Sequence, residues 1–514
     1  MVEVVHGRNG TGASVRSAAM PSARTIAKLL GVLTAATAGV LAVKEAKKRL
    51  DSSAQAAGPI SSSSRTARGA ALAGVGAKAG GQYTLHRARR AFASVERQTE
   101  LDTAFELQTA ESIAAALGNM KGAMMKLGQM ASYLDQGLPE PVRQALAELQ
   151  QNAPPMSAAL AAGVVREELG DAPEDVFATW DPVPIAAASI GQVHRAITHD
   201  GRAVAVKVQY PGVGEAIRAD LENAGMLFGA MGMLFPGLEP EPLVAELRER
   251  LMEELDYRLE AANQQLFARY YDGHPFIHIP EVVAALSTER VLTTELAEGV
   301  RFSEVEGWSQ AERDLAAESI YRFVFGSLYR LNAFNGDPHP GNYLFQPGGR
   351  VTFLDFGLVK RFTPSEVDLI GSMLEAMVVR RDITEYRRLI EGIGMLAPGN
   401  AFTDDEIQDY FGHFYDFVQR DEVSTLTAEY ASETVRRFFD ASGPYGPIMK
   451  AANVPPTFVI IQRINLGLYA IFGQLHATAN WRRISEEIWP FIDGPPSTAL
   501  GREAAAWAVE RGHP

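Results

Sequence analysis

Four residues that could bind phosphate and a divalent cation occur in a fixed order along the chain. Lys207 lies in the stretch VAVKV, Asp337 and Asn342 open and close the motif DPHPGN, and Asp355 begins the tripeptide DFG. A lysine at the edge of a sheet can meet phosphate oxygens, and a carboxylate can orient or deprotonate an attacking hydroxyl. Carboxylate and amide oxygens are ligands that Mg²⁺ prefers. An Asp-to-Asn step of five residues followed by Asp-Phe-Gly is typical of kinase catalytic and metal-binding loops.

Each of these pieces has an ordinary alternative when it is taken alone. Most lysines in strands are simply exposed, a DFG tripeptide arises by chance, and DPHPGN could be a turn stiffened by proline. Glu260 could supply the counter-charge that holds Lys207, although a single Glu on an acidic helix is normally solvated. His339 has no second histidine nearby, which favours a turn-stabilising or substrate-facing role over a metal site. All the pieces in this order favour a nucleotide site.

The segment PIAAASIGQVHRA, before Lys207, raises a question about the lid of such a site. Kinases carry a glycine-rich loop over the phosphates, whereas here Ala186, Ala187, Ala188 and Ser189 take the expected glycine positions. Glycine lets a backbone approach phosphate closely and adopt positive φ, which alanine resists. We therefore hypothesise a lid that restricts the poses of the nucleotide; the alternative is an ordinary turn of small residues.

The elements that must position these residues can be predicted from local patterns. GQVHRAITH and AVAVKVQY are strand-like and are joined by Asp200-Gly201, which indicates a hairpin. A long acidic helix is expected over 241–271, followed by two strand-like pieces, FIHIPEVVAAL and RVLTTELAEG. Beyond Ser309 the chain is expected to be nearly all helical apart from the DPHPGN and DFG region. Thr363-Pro364 with Glu366 predicts a helix start with a capping box.

Composition restricts the classes of function. The 514-residue chain has no cysteine, which excludes disulfides, thiolate metal sites and cysteine nucleophiles. Its net charge of −14 argues against general nucleic-acid binding. The charge is uneven, because residues 1–90 carry 14 Lys and Arg against 3 Asp and Glu, a net of +11. Such a basic head could touch anionic lipid or could be a solvated leader.

Within this head, Leu29–Val43 is an uncharged apolar run of 15 residues, shorter than the ~20 residues that usually span a bilayer. Counting from Ile26 lengthens it to 18. We hold two alternatives open for 26–43, a membrane-associating segment and a packed leader helix. If it spans, the lysines that follow it would keep the body cytoplasmic. A linker rich in Ser and Gly follows at Asp51–Gly69.

Seven motifs together resemble the UbiB/AarF family of atypical kinase-like proteins, also called ADCK proteins. They run from roughly Leu101 to Lys360 and read KLGQ, LQQNAPPM, AAASIGQVHRA, VAVKVQYPG, ELDYRLEAAN, DPHPGN and LDFG. The KxGQ element and the alanine loop separate this family from ordinary protein kinases. The resemblance favours a nucleotide site whose altered lid is a family feature.

The resemblance also implies roles for individual residues. Catalytic roles fall to Lys207, Glu260 and Asp337; metal ligation falls to Asn342 and Asp355. ATP and Mg²⁺ are the implied cofactors, with the backbone of Glu295 and Ala297 in TTELAEG meeting the adenine and Ala186–Ser189 over the phosphates. Regulatory roles over the substrate side fall to Lys126, Gln129, Glu254 and Asp256. Asn335-Gly336 departs from the His-Ala that relatives usually show before the catalytic Asp.

The sequence points away from phosphorylation of proteins. Only LVKRF separates DFG from the predicted helix start TPSE, and no APE motif follows, so a long activation segment has no room. The catalytic loop also lacks the arginine that would meet an activation-loop phosphate. ATP hydrolysis or action on a small lipid-like molecule is favoured, and the resemblance adds quinone-pathway proteins as partners.

We therefore predict an α+β, two-lobed protein-kinase-like fold with an N-terminal helical extension and a largely helical C-terminal region. The predicted parts are a leader 1–98, a helical extension 99–182, an N-lobe 183–300 and a C-lobe 301–514. The predicted function is that of an ATP- and Mg²⁺-binding atypical kinase or ATPase in quinone or other isoprenoid-lipid metabolism, cytoplasmic and near a membrane. The alternative is a nucleotide-binding pseudo-kinase that acts as a conformational switch for partner proteins.

Overall fold

The computed structural model describes residues 157–188, 190–214, 252–439, 443–453 and 455–513. All of them belong to one unit, Ser62–Pro514. The expectations for the leader, the 26–43 segment, Lys126, Gln129 and Ser189 lie outside the described residues. Within the part that is described, no helix combines the length and the apolar character needed to cross a membrane.

The first lobe is a small twisted sheet with helices against it. Its elements are α1 (Ala158–Leu169), α2 (Pro173–Val176), β1 (Thr179–Trp180), β2 (Ala186–Ala188), β3 (Gly191–Ile197), β4 (Ala203–Gln209), α3 (Tyr257–Tyr270) and, after β5 (Ile277–His278), β6 (Val291–Glu295). β5 is not part of this sheet and pairs with residues 351–352 of the second lobe. The strands β1, β3, β4 and β6 lie side by side in that order, all antiparallel, and β2 pairs with β3. The predicted hairpin with Asp200-Gly201 at its turn is confirmed as β3–β4, and Gly201 has φ +89°.

Alternation along β4 decides which side chains enter the core. Val204, Val206 and Val208 are buried against the valines of α1, while Lys207 lies on the opposite face of the sheet. Strand residues one apart point to opposite faces, so a core of valines on one side places Lys207 on the other. The local pattern VAVKV therefore supplies valines to the core of this lobe and places Lys207 on the opposite face of the sheet.

Two expectations for the segment between β4 and β6 need correction. The predicted continuous acidic helix is wrong at residues 255–256, because helical residues 252–254 end there and α3 begins anew at Tyr257. The Asp256 side chain accepts from the backbone N–H of Arg258 and so acts as the N-cap of α3. FIHIPEVVAAL forms only the two-residue strand β5 and a short 3₁₀ turn at Ala284–Leu286.

The second lobe is mainly helical. Its helices are α4 (Phe302–Val305), α5 (Gln310–Leu331), α6 (Pro364–Leu374) with a π-helical continuation (Glu375–Arg380), α7 (Ile383–Gly392), α8 (Asp404–Gly412), α9 (Asp416–Gln419), α10 (Ala428–Phe439), α11 (Gly446–Ala451), α12 (Pro456–Leu475), α13 (Trp481–Glu486) and α14 (Ala499–Arg511). Short strands are β7 (Ala333–Asn335), β8 (Tyr343–Gln346), β9 (Arg350–Phe353), β10 (Val359–Arg361), β11 (Ser424–Thr425) and β12 (Thr478–Ala479).

The strands around α5 hold the two predicted loops next to each other. Asn332 ends α5 in the left-handed region with φ 49°, and β7 follows at once. β7 pairs antiparallel with β10, so the chain before DPHPGN lies beside the chain after DFG. The predicted capping box at Thr363 and Glu366 is confirmed and begins α6. Only residues 358–363 connect DFG to this helix, and half of them are paired with β7.

Candidate nucleotide site

Lys207 and Glu260 form a close ion pair between the sheet and α3. The Nζ of Lys207 lies 2.8 Å from both carboxylate oxygens of Glu260, although the two residues are 53 positions apart. The side chain of Glu260 is only 5 % exposed, while that of Lys207 is 18 % exposed. A charge-assisted, two-oxygen contact of this kind fixes the position of the ammonium group. The predicted partnership of these two residues is thus present in the structure.

The helix α3 carries Glu260 and also anchors the DFG loop. Phe267 lies two turns after Glu260 on the same face and packs against Phe356, with ring centroids 5.0 Å apart. Phe356 is fully buried, which contributes about 2–3 kcal/mol. The amide of Asn263 donates to the carbonyl of Phe356 at 3.2 Å and accepts from Arg361. One helix therefore sets the positions of both the ion pair and the metal loop.

The charges in this site favour a protonated lysine. Burial by itself lowers the pKa of Lys207, but the carboxylates of Glu260 and Asp355 outweigh it and raise the pKa above its ordinary value. The Lys207 Nζ also lies 4.9 Å from the centre of the Tyr257 ring, a cation–π distance. Lys207 is thus a cation held between two carboxylates, 2.8 Å from Glu260 and 4.0 Å from Asp355.

Sequence reasoning missed Tyr257, which is buried beside this pair. Among the described residues its hydroxyl has no hydrogen-bond partner, and burial raises its pKa. Tyr257 lies close to Lys207 because the chain breaks its helix at 255–256 and α3 begins at Tyr257. No local sequence pattern predicted that break.

The catalytic-loop motif forms a tight, internally bonded turn. Nδ2 of Asn342 donates to the backbone carbonyl of Asp337 at 3.0 Å and lies 3.3 Å from its carboxylate Oδ2. His339 accepts the N–H of Gly341 through Nδ1, which gives it the turn-stabilising role that was one of the expectations. The two residues that the spacing selected, Asp337 and Asn342, are in contact.

Asn335 and Gly336, which stand where relatives usually have His-Ala, connect the DPHPGN loop to the DFG loop through hydrogen bonds. Asn335 donates through Nδ2 to the carbonyl of Asp355 at 2.9 Å and accepts the N–H of Asp337 at 3.3 Å. The N–H of Gly336 donates to the carbonyl of Leu358 at 2.7 Å. A Cβ at position 336 would lie 2.9 Å from the Leu358 side chain, so the close approach requires glycine.

The oxygens of the site suit a magnesium ion bound together with phosphates. The amide nitrogen of Asn342 donates within the loop, and its Oδ1 is an oxygen of the kind that Mg²⁺ accepts as a ligand. Asp355 accepts the N–H of Gly357 at Oδ1, and its Oδ2 lies 4.0 Å from Lys207 Nζ. The described residues contain no cluster of three or more His, Asp or Glu that could hold a metal by themselves. Mg²⁺ usually takes one or two carboxylates and completes its shell with phosphate and water, and the oxygens of Asp355 and Asn342 fit that ligand type.

The alanine segment is a strand rather than an open loop. Ala186, Ala187 and Ala188 form β2 and pair with Val193, Gln192 and Gly191 of β3. None of the three has positive φ, so alanine costs nothing in backbone strain here. The glycine that the hairpin needs is Gly191, because a Cβ there would lie 2.3 Å from the carbonyl of Val208 and 2.9 Å from the hydroxyl of Tyr257.

The predicted hinge follows β6 directly. Glu295 ends this strand and donates its N–H to the carbonyl of Glu281, and its side chain lies 3.3 Å from Nε2 of His278. No backbone carbonyl of the described residues accepts the N–H of Ala297, which is half-buried. A base that reaches this edge would find that donor free.

Of the predicted regulatory residues, Glu254 and Asp256 lie just before α3. Asp256 bonds to Arg258 through both carboxylate oxygens, with distances of 2.8 and 3.0 Å. The capping bond and this ion pair give Asp256 a structural role at the start of the helix that carries Glu260.

Comparison with known proteins places the chain among kinase-like relatives. The family described as the ABC1 atypical kinase-like domain matches residues 148–389. The rat protein "Atypical kinase COQ8B, mitochondrial" is 39% identical over 255 residues, which is 49% of this chain and 48% of the rat protein. The yeast protein "Atypical kinase COQ8, mitochondrial" is 32% identical over 254 residues, covering 49% of this chain and 51% of that protein. The chain thus spans about half the length of these curated relatives.

A solved structure extends the likeness over more of the chain. It is the Mycobacterium tuberculosis protein Rv3197, whose structure was determined in complex with erythromycin. It is 32% identical, with a TM-score of 0.55, and the match covers 76% of this chain and 98% of that one. The α+β kinase-like fold, with its sheet-containing lobe and helical C-terminal region, is thereby confirmed. The chain belongs to the UbiB/AarF family of atypical kinase-like proteins.

Proposed function

We propose that this protein binds Mg·ATP in the cleft between its lobes and hydrolyses it or transfers its terminal phosphoryl group to a small acceptor. The observation that carries the proposal is the Lys207–Glu260 pair with the Asp355 carboxylate 4.0 Å from the lysine. One ammonium with two carboxylates has a negative excess that a divalent cation would neutralise.

Each residue of the site has a chemical task in this proposal. Lys207 binds phosphate oxygens, and the oxygens of Asn342 and Asp355 would hold Mg²⁺, which supplies charge neutralisation on the phosphates when it is bound. Asp337 orients the attacking hydroxyl or water and accepts its proton. The N–H of Ala297 meets the base. The short segment between DFG and α6 leaves no platform for a peptide, which favours water or a small molecule as the acceptor.

The test is Mg·ATP binding and phosphate release by the full chain and by Asp355→Asn, with the exposed Asp409→Asn as the matched control. We expect Asp355→Asn to lose Mg²⁺-dependent affinity by at least tenfold, because it removes a charged ligand. Equal Mg·ATP affinity in Asp355→Asn and the control would refute the metal assignment. Binding without any turnover would instead support the nucleotide-dependent switch that the sequence left open.

We propose further that the protein acts near a membrane in quinone or other isoprenoid-lipid metabolism. The support is the family membership, relatives named as COQ8 kinases, and the +11 charge of residues 1–90. Basic residues near an anionic surface contribute ~1 kcal/mol each. Deletion of residues 1–90 should leave nucleotide binding intact and weaken flotation with anionic liposomes. Unchanged flotation would exclude this head as the anchor.

A further inference from the structure

An aromatic cavity lies inside the helical lobe, behind the catalytic loop. Its volume is about 100 Å³, and its walls come from α5, β7, α6, α8 and α12, with Phe334, Met373, Phe411 and Ile461 among the lining residues. An apolar cavity of this order holds a single small ring system, since one of about 150 Å³ binds benzene. The cavity is separate from the residues that form the nucleotide site.

One polar atom in this apolar wall has no partner. Oδ1 of Asn465, on α12, is buried and accepts no hydrogen bond within the described structure. Two tyrosine hydroxyls of this wall are engaged elsewhere, because Tyr469 donates to the carbonyl of Phe414 and Tyr321 is bonded to Ser485. Burying an amide oxygen unpaired costs free energy, so its presence calls for a donor from elsewhere.

Water is a poor candidate for that donor. A buried water needs two to four polar partners, and this wall is mostly aromatic and aliphatic. A ring-sized apolar molecule with one N–H or O–H would fill the cavity with its body and satisfy Asn465 with its donor.

The position of the cavity makes such a ligand relevant to the catalytic loop. Phe334 lies in β7, three residues before Asp337. The same helix that carries Asn465 touches the loop through Gly467, where a Cβ would lie 2.6 Å from the ring of Pro338. The cavity therefore shares its wall with the segments that hold the catalytic loop.

We propose that this cavity is a binding site for a small apolar ring compound that donates one hydrogen bond to Oδ1 of Asn465. Pyrrole and furan are matched probes, because they have nearly the same shape, are no larger than benzene, and only pyrrole carries a donor. The full chain is titrated with each probe, without nucleotide, and binding is followed by ligand-detected NMR. The result does not depend on the function proposed for the cleft.

The variants isolate the amide. Asn465→Leu removes it, and Gln474→Leu makes the same kind of change at an exposed position on the same helix. Leu374→Trp fills the cavity. We expect pyrrole to bind the native chain and Gln474→Leu about fivefold more tightly than furan, the value of one hydrogen bond. That preference should vanish in Asn465→Leu, and both probes should lose affinity in Leu374→Trp.

Three results would overturn the proposal: no saturable binding of either probe to the native chain, equal affinities of the two probes for it, or a preference for pyrrole that survives in Asn465→Leu. Binding that Leu374→Trp leaves unchanged would place the probes elsewhere and would also refute it. If circular dichroism shows that Asn465→Leu does not fold, Asn465→Ala serves the same comparison.

Discussion

Two buried clusters, one in each part of the molecule, contain the same charges and differ in how closed they are. Each has one cation and two carboxylates: Lys207 with Glu260 and Asp355, and Arg322 with Glu318 and Glu487. In the second cluster Arg322 Nε lies 2.7 Å from Glu318 and its Nη2 lies 2.8 Å from Glu487, with all three side chains at most 7 % exposed. In the first cluster the Asp355 side chain is 34 % exposed and lies 4.0 Å from the lysine.

The two clusters differ in solvent exposure. A cluster whose charged side chains are all buried and bonded to one another stabilises the fold, whereas one with a partly exposed carboxylate can bind a ligand. Glu487 also accepts the N–H and hydroxyl of Ser497, and Glu318 accepts the hydroxyl of Thr498, so every charge is satisfied inside the protein. In the first cluster the Asp355 side chain is partly exposed, so a ligand can approach this carboxylate.

Arg322→Met should produce the largest loss of stability. It leaves two carboxylates buried without a cation, and breaking a buried pair in this way costs about 3–5 kcal/mol. Urea unfolding of the variant and of the native chain measures the loss. Mg·ATP affinity of the folded variant should be retained, and a loss of less than 1 kcal/mol would contradict the structural role of the cluster.

Acid should destabilise the protein through His274. Burial, aided by the charge of Arg322, lowers the pKa of His274 to about 3, and its Nδ1 accepts the N–H of Ile277. The unfolded chain, with an ordinary pKa near 6.5, binds the proton first. The free energy of unfolding should therefore fall by about 2 kcal/mol between pH 6.5 and 4.5 from this group alone.

Unfolding of His274→Gln over the same pH range measures that share, with the exposed His199→Gln as its control. The slope with pH should become flatter only in His274→Gln. Identical slopes in both variants would show that His274 takes up no proton on unfolding.

Glu260→Gln should weaken Mg·ATP binding by about five- to tenfold, which corresponds to about 1 kcal/mol. Glutamine keeps the size and one acceptor oxygen but not the charge, so Lys207 is held less firmly and is drawn towards Asp355. Calorimetric titration of Mg·ATP gives the affinity, and the exposed Glu304→Gln on α4 is the control. The loss of stability should be smaller than in Arg322→Met, because the cleft lets water reach the lysine. Unchanged affinity would deny the pair a role in nucleotide binding.

Ala187→Gly should have the smallest effect. Ala187 lies in β2, is exposed, and pairs with Gln192 of β3. Glycine at this position therefore costs at most about 1 kcal/mol of stability. If the hairpin restricts nucleotide poses, greater freedom at this position should change the ratio of ATP and ADP affinities by a few-fold. Dissociation constants of both nucleotides for the native chain and the variant decide the point. Equal ratios would show that the alanines only build the strand.

Much of the site could be predicted because short motifs carry it. Each of these motifs is shorter than ten residues: the valine alternation around Lys207, the five-residue step from Asp337 to Asn342, and the DFG tripeptide. The start of α3 could not be predicted in the same way. Its acidic, helix-favouring sequence runs on without a break, whereas the fold turns the chain at Asp256 and brings Tyr257 under the sheet.

Local sequence patterns were enough to predict the β3–β4 hairpin, the capping box at Thr363, and the oxygens and ammonium suited to phosphate and Mg²⁺. Periodicity and turn chemistry act over a few residues, so a sequence shows them directly. Three contacts follow from tertiary packing instead. Lys207 meets Glu260, 53 positions away, and Asn335 bonds to the DFG loop. Oδ1 of Asn465 on α12 lies in a cavity without a hydrogen-bond partner among the described residues. Those outcomes depend on how distant surfaces pack, and no local pattern contains that information.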